Sequence, residues 1–511
     1  MEKVINKLIQ IFIFLFFVIL FIFSFINDSS VYYHDDIFLS LLFLGFTLII
    51  WTFFYWLFSK RKNIFSKKLE IIYLLVYFAL VSFLQIIVLK QLSVSPGWDF
   101  GVVFSNARSF VYTGVRDINS YPKYFQFFPN NILLFVLEVI FIKIGSIFSI
   151  NAIYSVYIMN IIFIDLALLL LFLVIRKIYN SKNAFFGLIL TFFFLPLFLY
   201  TPIVYSDTIS LFIPVGFVFL FNLIDDKNTL SKRNIIIFVL IGFLLFLGKE
   251  LKITTLIIFL ALLIDYFIIK FKMFKIVNIS ISLLVLIVCE LLFNITIVNN
   301  HKFQFQVNNY GSIPFTHWIM MGVEDINHDN SDRNSYGGYN ESDYKLTESF
   351  STGKDAVNFN LMETKNRINK MGIDGYIKYL IKKSENTWTD GFYFSNIKLS
   401  LHSNHKNSFL YKLLFTNSKY VCVFRGFTQG IQYSFILILI MSSLFNIKKN
   451  NGFDYIKFSI IGLSIFFLFW ENRSRYIFNY IPIFILIIVD FYNNLKEKVD
   501  DKKFLNLKKD N

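Results

Sequence analysis

The sequence predicts an all-α, polytopic membrane protein built as a transmembrane bundle of about 12 spans. Three observations lead there. Of the 511 residues 56% are hydrophobic and 20% aromatic, the mean hydropathy is +0.60, and a soluble core of this size has no way to hide so much apolar surface. Apolar runs such as Ile11 to Phe25 and Ile253 to Ile264 recur along the chain, which is the pattern of repeated bilayer crossing. Lysine and arginine fall in short clusters between those runs, so topology explains the formal charge of +15 better than a polyanionic partner, and nucleic acid is not expected.

The runs lie near 8–26, 37–58, 69–90, 150–175, 183–200, 209–224, 234–248, 253–269, 276–297, 431–446, 457–470 and 476–493. The first follows the short basic start "MEKVINK" with no small-residue cleavage site after it, and reads as a retained span rather than a signal peptide. A thirteenth run, "NNILLFVLEVIFIKIGSIF" from Asn130 to Phe148, is long enough to cross. Left out of the crossing count, it lets "SKRKNIFSKK", "RKIYNSKN", "DDKNTLSKRN", "KFKMFK", "NIKKNNGFDYIK" and the lysine-rich C-terminus all face the cytoplasm. Counted in, it moves all but the first of these outside, against the positive-inside bias. It therefore reads as an interfacial or re-entrant helix, with Glu138 interrupting its apolar face.

The expected organisation is a transmembrane region 1–297 with an outer loop 91–129 and an interfacial helix 130–149, an extracytoplasmic segment 298–430, and C-terminal spans with a cytoplasmic tail, 431–511. In the outer segment "INHDNSDRNSYGGYNESDY" reads as loop, and the stretch 359–388 as helix broken at Gly372 and Gly375. Cys289 and Cys422 form neither a disulfide nor a zinc framework.

The outer face carries the residues with chemistry. Asp99, in "SPGWDFGVVF", stands at the mouth of a span, where an acid is either solvated in a loop or held in a polar cleft for use. Asp207 in "YSDT" occupies a matching outer turn, so two acids can face one cleft as base or cation holder. Lys249 and Lys252 in "GKELK", and Arg473 and Arg475 in "ENRSRY", lie outside against the charge bias. Snorkelling to headgroups, with Glu250 and Glu471 as partners, is one account; an anionic ligand such as phosphate is the other. His317 beside Trp318, and Trp388 with Asp390, have the composition of a sugar-facing surface and equally that of ordinary structural contacts. No nucleotide-phosphate, HExxH or GxSxG motif appears in a suitable setting.

The order "WDFGVV", "YFQFFPNNILLFVLE", "YSDTISL", "GKELKITT", "IPFTHWIMMG" with "YGGYN", "NTWTDGFY" and "ENRSRYIFNYIP" resembles the GT-C superfamily of integral-membrane glycosyltransferases, closest to a Gram-positive branch found near exosortase-like genes. The likeness runs from about residue 95 to 485 and rests on motif order and topology rather than on one specific motif. It implies a polyprenyl-phosphate-linked sugar donor, a glycan, lipid or protein acceptor, and a site at the outer face of a bacterial cell membrane with both termini cytoplasmic. It also implies a catalytic acid at Asp99, a second at Asp207, and phosphate-binding positions at Lys249, Lys252, Arg473 and Arg475. Glu138, His317, Trp318, Trp388 and Asp390 complete the expected substrate-binding set. Many relatives carry two adjacent acids where Asp99 is followed by Phe100, so the resemblance does not carry over their divalent-metal mechanism, and no cofactor is required. A transporter or flippase of lipid-linked sugars, and a polysaccharide polymerase or ligase, are the alternatives on the same residues.

Overall fold

The computed structural model describes residues 2–26, 36–60, 66–117, 123–225, 230–268, 273–305, 313–324, 336–350, 352–416, 419–444 and 454–507. Among these residues the chain is helical, with one isolated bridge between Val94 and Ser403 and no strand. The 326–335 part of the expected outer loop, and much of the basic clusters at 59–68, 270–275 and 446–457, lie outside the described residues.

Among the described residues nine helices are long and apolar enough to cross a bilayer: Val4–Phe25, Ile37–Lys60, Lys67–Leu92, Pro129–Ile147, Ala152–Ile178, Lys232–Leu251, Lys275–Val298, Tyr420–Leu444 and Ser474–Asp500. Three shorter apolar helices, Ser206–Phe221, Ile253–Phe267 and Tyr455–Phe469, lie between them. The run expected near 183–200 is not one helix: Ser181–Thr191 ends, and a separate turn begins at Pro196, which lacks the N–H a continuous helix needs. In the most apolar 18-residue stretch of Ser474–Asp500 83% of the residues are buried, and this helix forms the centre of the bundle, whereas in that of Lys275–Val298 11% are and residues such as Leu284 and Ile287 turn outward, as in a lipid-facing helix.

Lys67–Leu92 and Ala152–Ile178 run antiparallel, joined at three levels. Arg176 Nε lies 2.9 Å from Glu70 Oε1 at one end, Gln85 Nε2 donates to Asp165 Oδ1 at 2.8 Å in the middle, and the Tyr157 hydroxyl donates to the Val94 carbonyl at 2.9 Å at the other end. The chain leaves the first helix and enters the second at the same end of the bundle, so everything between them returns to its starting side. Parity downstream therefore does not depend on how deep the Pro129–Ile147 helix sits, although by length and composition that helix is able to cross.

The expected outer loop 91–129 is largely helix. Trp98–Thr113 begins after extended Gly97 and stops at Gly114, whose φ of +76° gives the left-handed cap that donates back to the Phe110 carbonyl at 3.0 Å. The following helix starts with a turn at Pro129, where a missing N–H does no harm.

The 298–430 segment folds onto the same end of the bundle through helices Phe315–Met321, Glu341–Glu348, Gly353–Trp388, Ser395–His402 and Phe409–Phe415. Asn340 caps the second and Thr352 the third with their side-chain oxygens. Gly353–Trp388 breaks at Gly372, at φ +66° and ψ 177°, as its sequence predicts, but Gly375 stays helical. A buried fork between Arg367 and Asp343, at 2.8 and 2.6 Å, ties the long helix to Glu341–Glu348. The span expected from 431 begins at Lys419, because "KYVCVFRGFTQG" continues the helix despite its polar letters.

Candidate active site

A cavity of about 1680 Å³ opens where the bundle meets the 298–430 segment. That exceeds the roughly 300–1,000 Å³ of ordinary small-ligand pockets and leaves room for two ligands side by side. Its charged centre comes from four separate helix ends and turns. Asp99 stands in the first turn of Trp98–Thr113, where the helix dipole favours a carboxylate. Asp207 lies in the short Ser206–Ile209 turn, Lys252 caps the end of Lys232–Leu251, and Arg475 sits in the tight turn leading into the central helix.

The two acids differ in accessibility. Asp207 is 2% exposed and its Oδ1 lies 2.6 Å from Lys252 Nζ; Arg475 Nε approaches its Oδ2 at 3.8 Å. Asp99 is 38% exposed to the cavity, and its Oδ2 is 3.9 Å from Arg475 Nη2. The Tyr124 hydroxyl donates to Asp99 Oδ1 at 3.0 Å and accepts from Asn131 at 2.7 Å. Burial, and next the Asp99 charge, push the Tyr124 phenol well above its ordinary range, so it keeps its proton and holds one oxygen of Asp99 in place. Arg475 thus stands between the two carboxylates, with the Tyr205 ring 4.7 Å beneath its guanidinium.

Of the residues singled out in the sequence, Asp99, Asp207, Lys249, Lys252, Trp318, Arg473 and Arg475 line this cavity. Lys249 is at the rim, paired at 2.6 Å with Glu290 and at 3.7 Å with Glu250. Trp318 lies parallel to Trp470, ring centres 6.4 Å apart, and forms an aromatic wall with Phe128. The guanidinium of Arg473 rests 4.9 Å from the Phe394 ring.

Four expected substrate contacts lie elsewhere. His317 is buried beside Thr347, 2.8 Å from its hydroxyl, and burial lowers its pKa to about 4, so it is a neutral structural ring. Trp388 packs edge-on to Phe17 and against Phe484 in the bundle. Asp390 folds a turn by accepting from the Phe392 and Phe394 N–H groups at 2.9 and 2.8 Å, and from the Ser474 hydroxyl at 2.5 Å. Through Ser474 it steadies the turn between Arg473 and Arg475. Glu138 is fully buried within the Pro129–Ile147 helix packing and does not reach the cavity. Composition did not separate these four from true lining residues because aromatic and acidic letters serve cores and turns equally well.

The cavity also contains Trp98, Tyr124, Tyr205 and Lys398, which the sequence did not single out, and Glu471, expected only as a partner of the nearby arginines, which accepts from the Tyr476 hydroxyl at 2.8 Å. Lys398 in "FSNIKLSL" has no local signal; only the docking of Ser395–His402 beside Asp99 brings it in. Among the described residues no three His, Cys, Asp or Glu side chains gather as a metal-binding group.

A family model described as "Conserved hypothetical integral membrane protein" matches residues 1–494. No curated protein and no solved structure matches the chain.

Proposed function

We propose that this chain, which belongs to the conserved hypothetical integral membrane protein family, is a GT-C-type membrane glycosyltransferase that moves a sugar from a polyprenyl-phosphate donor to an acceptor hydroxyl at the outer face of a bacterial cell membrane. Twelve crossings, made by the nine long helices without Pro129–Ile147, the three shorter apolar helices and the broken 181–199 element, would leave both termini with the basic clusters in the cytoplasm. The observation that carries the reading is the asymmetry of the two acids around Arg475: one carboxylate is sequestered against Lys252, and the other is held by Tyr124 with an open face to the cavity.

That arrangement suits an inverting displacement. Asp99 takes the proton as the acceptor oxygen forms its bond to the anomeric carbon, and the bond from that carbon to the phosphate oxygen breaks with its electron pair leaving on the phosphate. Cations already fixed in the cavity wall meet the growing charge without reorganising. Asp207 holds Lys252 and Arg475 in place rather than touching the reacting atoms. Purified protein incubated with a panel of polyprenyl-phosphate sugars should release free carrier phosphate, by slow hydrolysis even without acceptor. Inertness across the panel, together with translocation of lipid-linked sugar in vesicles, would instead support a flippase.

A further inference from the structure

The cations of the cavity are not equivalent. Lys252 has a carboxylate at 2.6 Å, and Arg475 has two near 3.8 and 3.9 Å. Lys398 makes no ion pair among the described residues, although its side chain is buried in the cavity wall. Its ammonium is 2.6 Å from the Tyr205 hydroxyl, 3.5 Å from the centre of the Trp98 ring and 4.5 Å from that of Tyr205. A phenol and the faces of Trp98, Tyr205 and, at 5.8 Å, Phe394 stabilise a cation but do not neutralise it, and a buried ammonium with no carboxylate in direct contact is unfavourable. Burial first, then the nearby Arg475, lower the Lys398 pKa well below lysine's ordinary value, with the Asp99 and Asp207 charges opposing from a distance. An anion arriving in the cavity would give this ammonium the close ion pair that no carboxylate among the described residues makes with it.

Its position also fits the chemistry. Trp98, the residue before Asp99, has φ +49° and is clamped between Lys398 on its face and His402, whose ring meets it edge-on at 4.3 Å. Around this clamp Ser95 N–H donates to the His402 carbonyl at 2.8 Å and Asn404 N–H to the Ser93 carbonyl at 2.9 Å, so the Asp99 loop and the end of the Lys398 helix are tied together. A left-handed backbone at a bulky residue is a strained state held by its surroundings. An anion on Lys398 is thereby registered against Asp99.

We infer that Lys398 is the principal anchor for the phosphate of the ligand, while Lys252 and Arg475 serve mainly to hold Asp207 and Asp99; this rests on the prenyl-phosphate reading above. The test uses full-length protein in detergent, with geranylgeranyl phosphate as probe and with inorganic phosphate and geranylgeraniol as controls for head and tail. Binding affinity and thermal shift are read for wild type, Lys398→Met, Lys398→Arg and Lys252→Met. Lys398→Met should weaken geranylgeranyl phosphate roughly tenfold or more while its ligand-free melting temperature stays level or rises, because a buried amine that makes no ion pair has been replaced by an apolar side chain of similar length. Lys398→Arg should recover part of the affinity, and Lys252→Met should lower the ligand-free melting temperature. Wild-type affinity in Lys398→Met overturns the inference alone. A ligand-free melting temperature that falls in Lys398→Met as far as in Lys252→Met makes Lys398 a structural prop and also overturns it. Wild-type protein that binds geranylgeraniol as well as its phosphate, or binds neither, overturns the prenyl-phosphate reading and the anchor together.

Discussion

Lys252 and Asp207 meet at 2.6 Å with the acid 2% exposed and the lysine 17% exposed, and this pair fixes the floor on which Arg475 and Asp99 are arranged. Lys252 also lies 4.0 Å above the Tyr476 ring, so one ammonium links three separate helix ends. Removing it by Lys252→Met leaves the Asp207 carboxylate buried with only the more distant Arg475. The expected loss is about 3–5 kcal/mol for breaking a buried pair, measured as a fall in stability in detergent. The double variant Lys252→Met, Asp207→Asn should recover at least half of it. Strict additivity of the two single losses would mean that the pair is not coupled.

Lys383 gives the fold a pH signature. It is buried in the 298–430 segment and donates to the carbonyls of Gly322 at 2.5 Å and Leu468 at 3.1 Å, joining that segment to the end of a bundle helix. Burial lowers its pKa from 10.5 to about 7, with Glu471 opposing. Below about 7 both folded and unfolded chains carry the proton and the burial penalty is fully present. Between about 7 and 10.5 only the unfolded chain keeps it, so stability rises with pH across that window. Lys383→Met should flatten the rise by up to one proton, about 1.4 kcal/mol per pH unit. An unchanged slope between pH 7 and 10 would contradict this account of Lys383.

Sidedness is open to direct labelling. With Cys289 and Cys422 replaced by serine, a cysteine at exposed Lys345 should react with an impermeant maleimide on intact cells, and one at exposed Asn180 should react only after lysis. Reaction at position 180 from outside would invert the proposed topology.

The alternation of apolar runs and basic clusters was enough to read an all-helical membrane bundle, and it located eleven of the twelve expected runs as single helices. The 183–200 run failed because hydropathy does not register the break ahead of Pro196. Asp99, Asp207, Lys252, Arg473 and Arg475 were legible because charge at the end of an apolar run stands out against its neighbours. His317, Trp388, Asp390 and Glu138 were misplaced because burial is a property of packing: nothing in "TDGFYF" tells that Asp390 closes a turn on Ser474. Lys398 and Tyr205 meet across long sequence separation, a contact that no local pattern encodes.

The most direct measurement is single-turnover sugar transfer by Asp99→Asn, compared with wild type and with Asp207→Asn, using a polyprenyl-phosphate sugar that the wild type accepts. Asparagine keeps the size of Asp99 and its place near Tyr124 but removes the basic carboxylate. The account predicts a rate loss of about 10²- to 10⁴-fold with donor affinity within a few-fold and an unchanged melting temperature, while Asp207→Asn, which frees Lys252, loses stability and donor affinity along with rate. Near-wild-type turnover in folded Asp99→Asn would contradict the account, and if Asp207→Asn alone abolished transfer with affinity intact, the base would be Asp207.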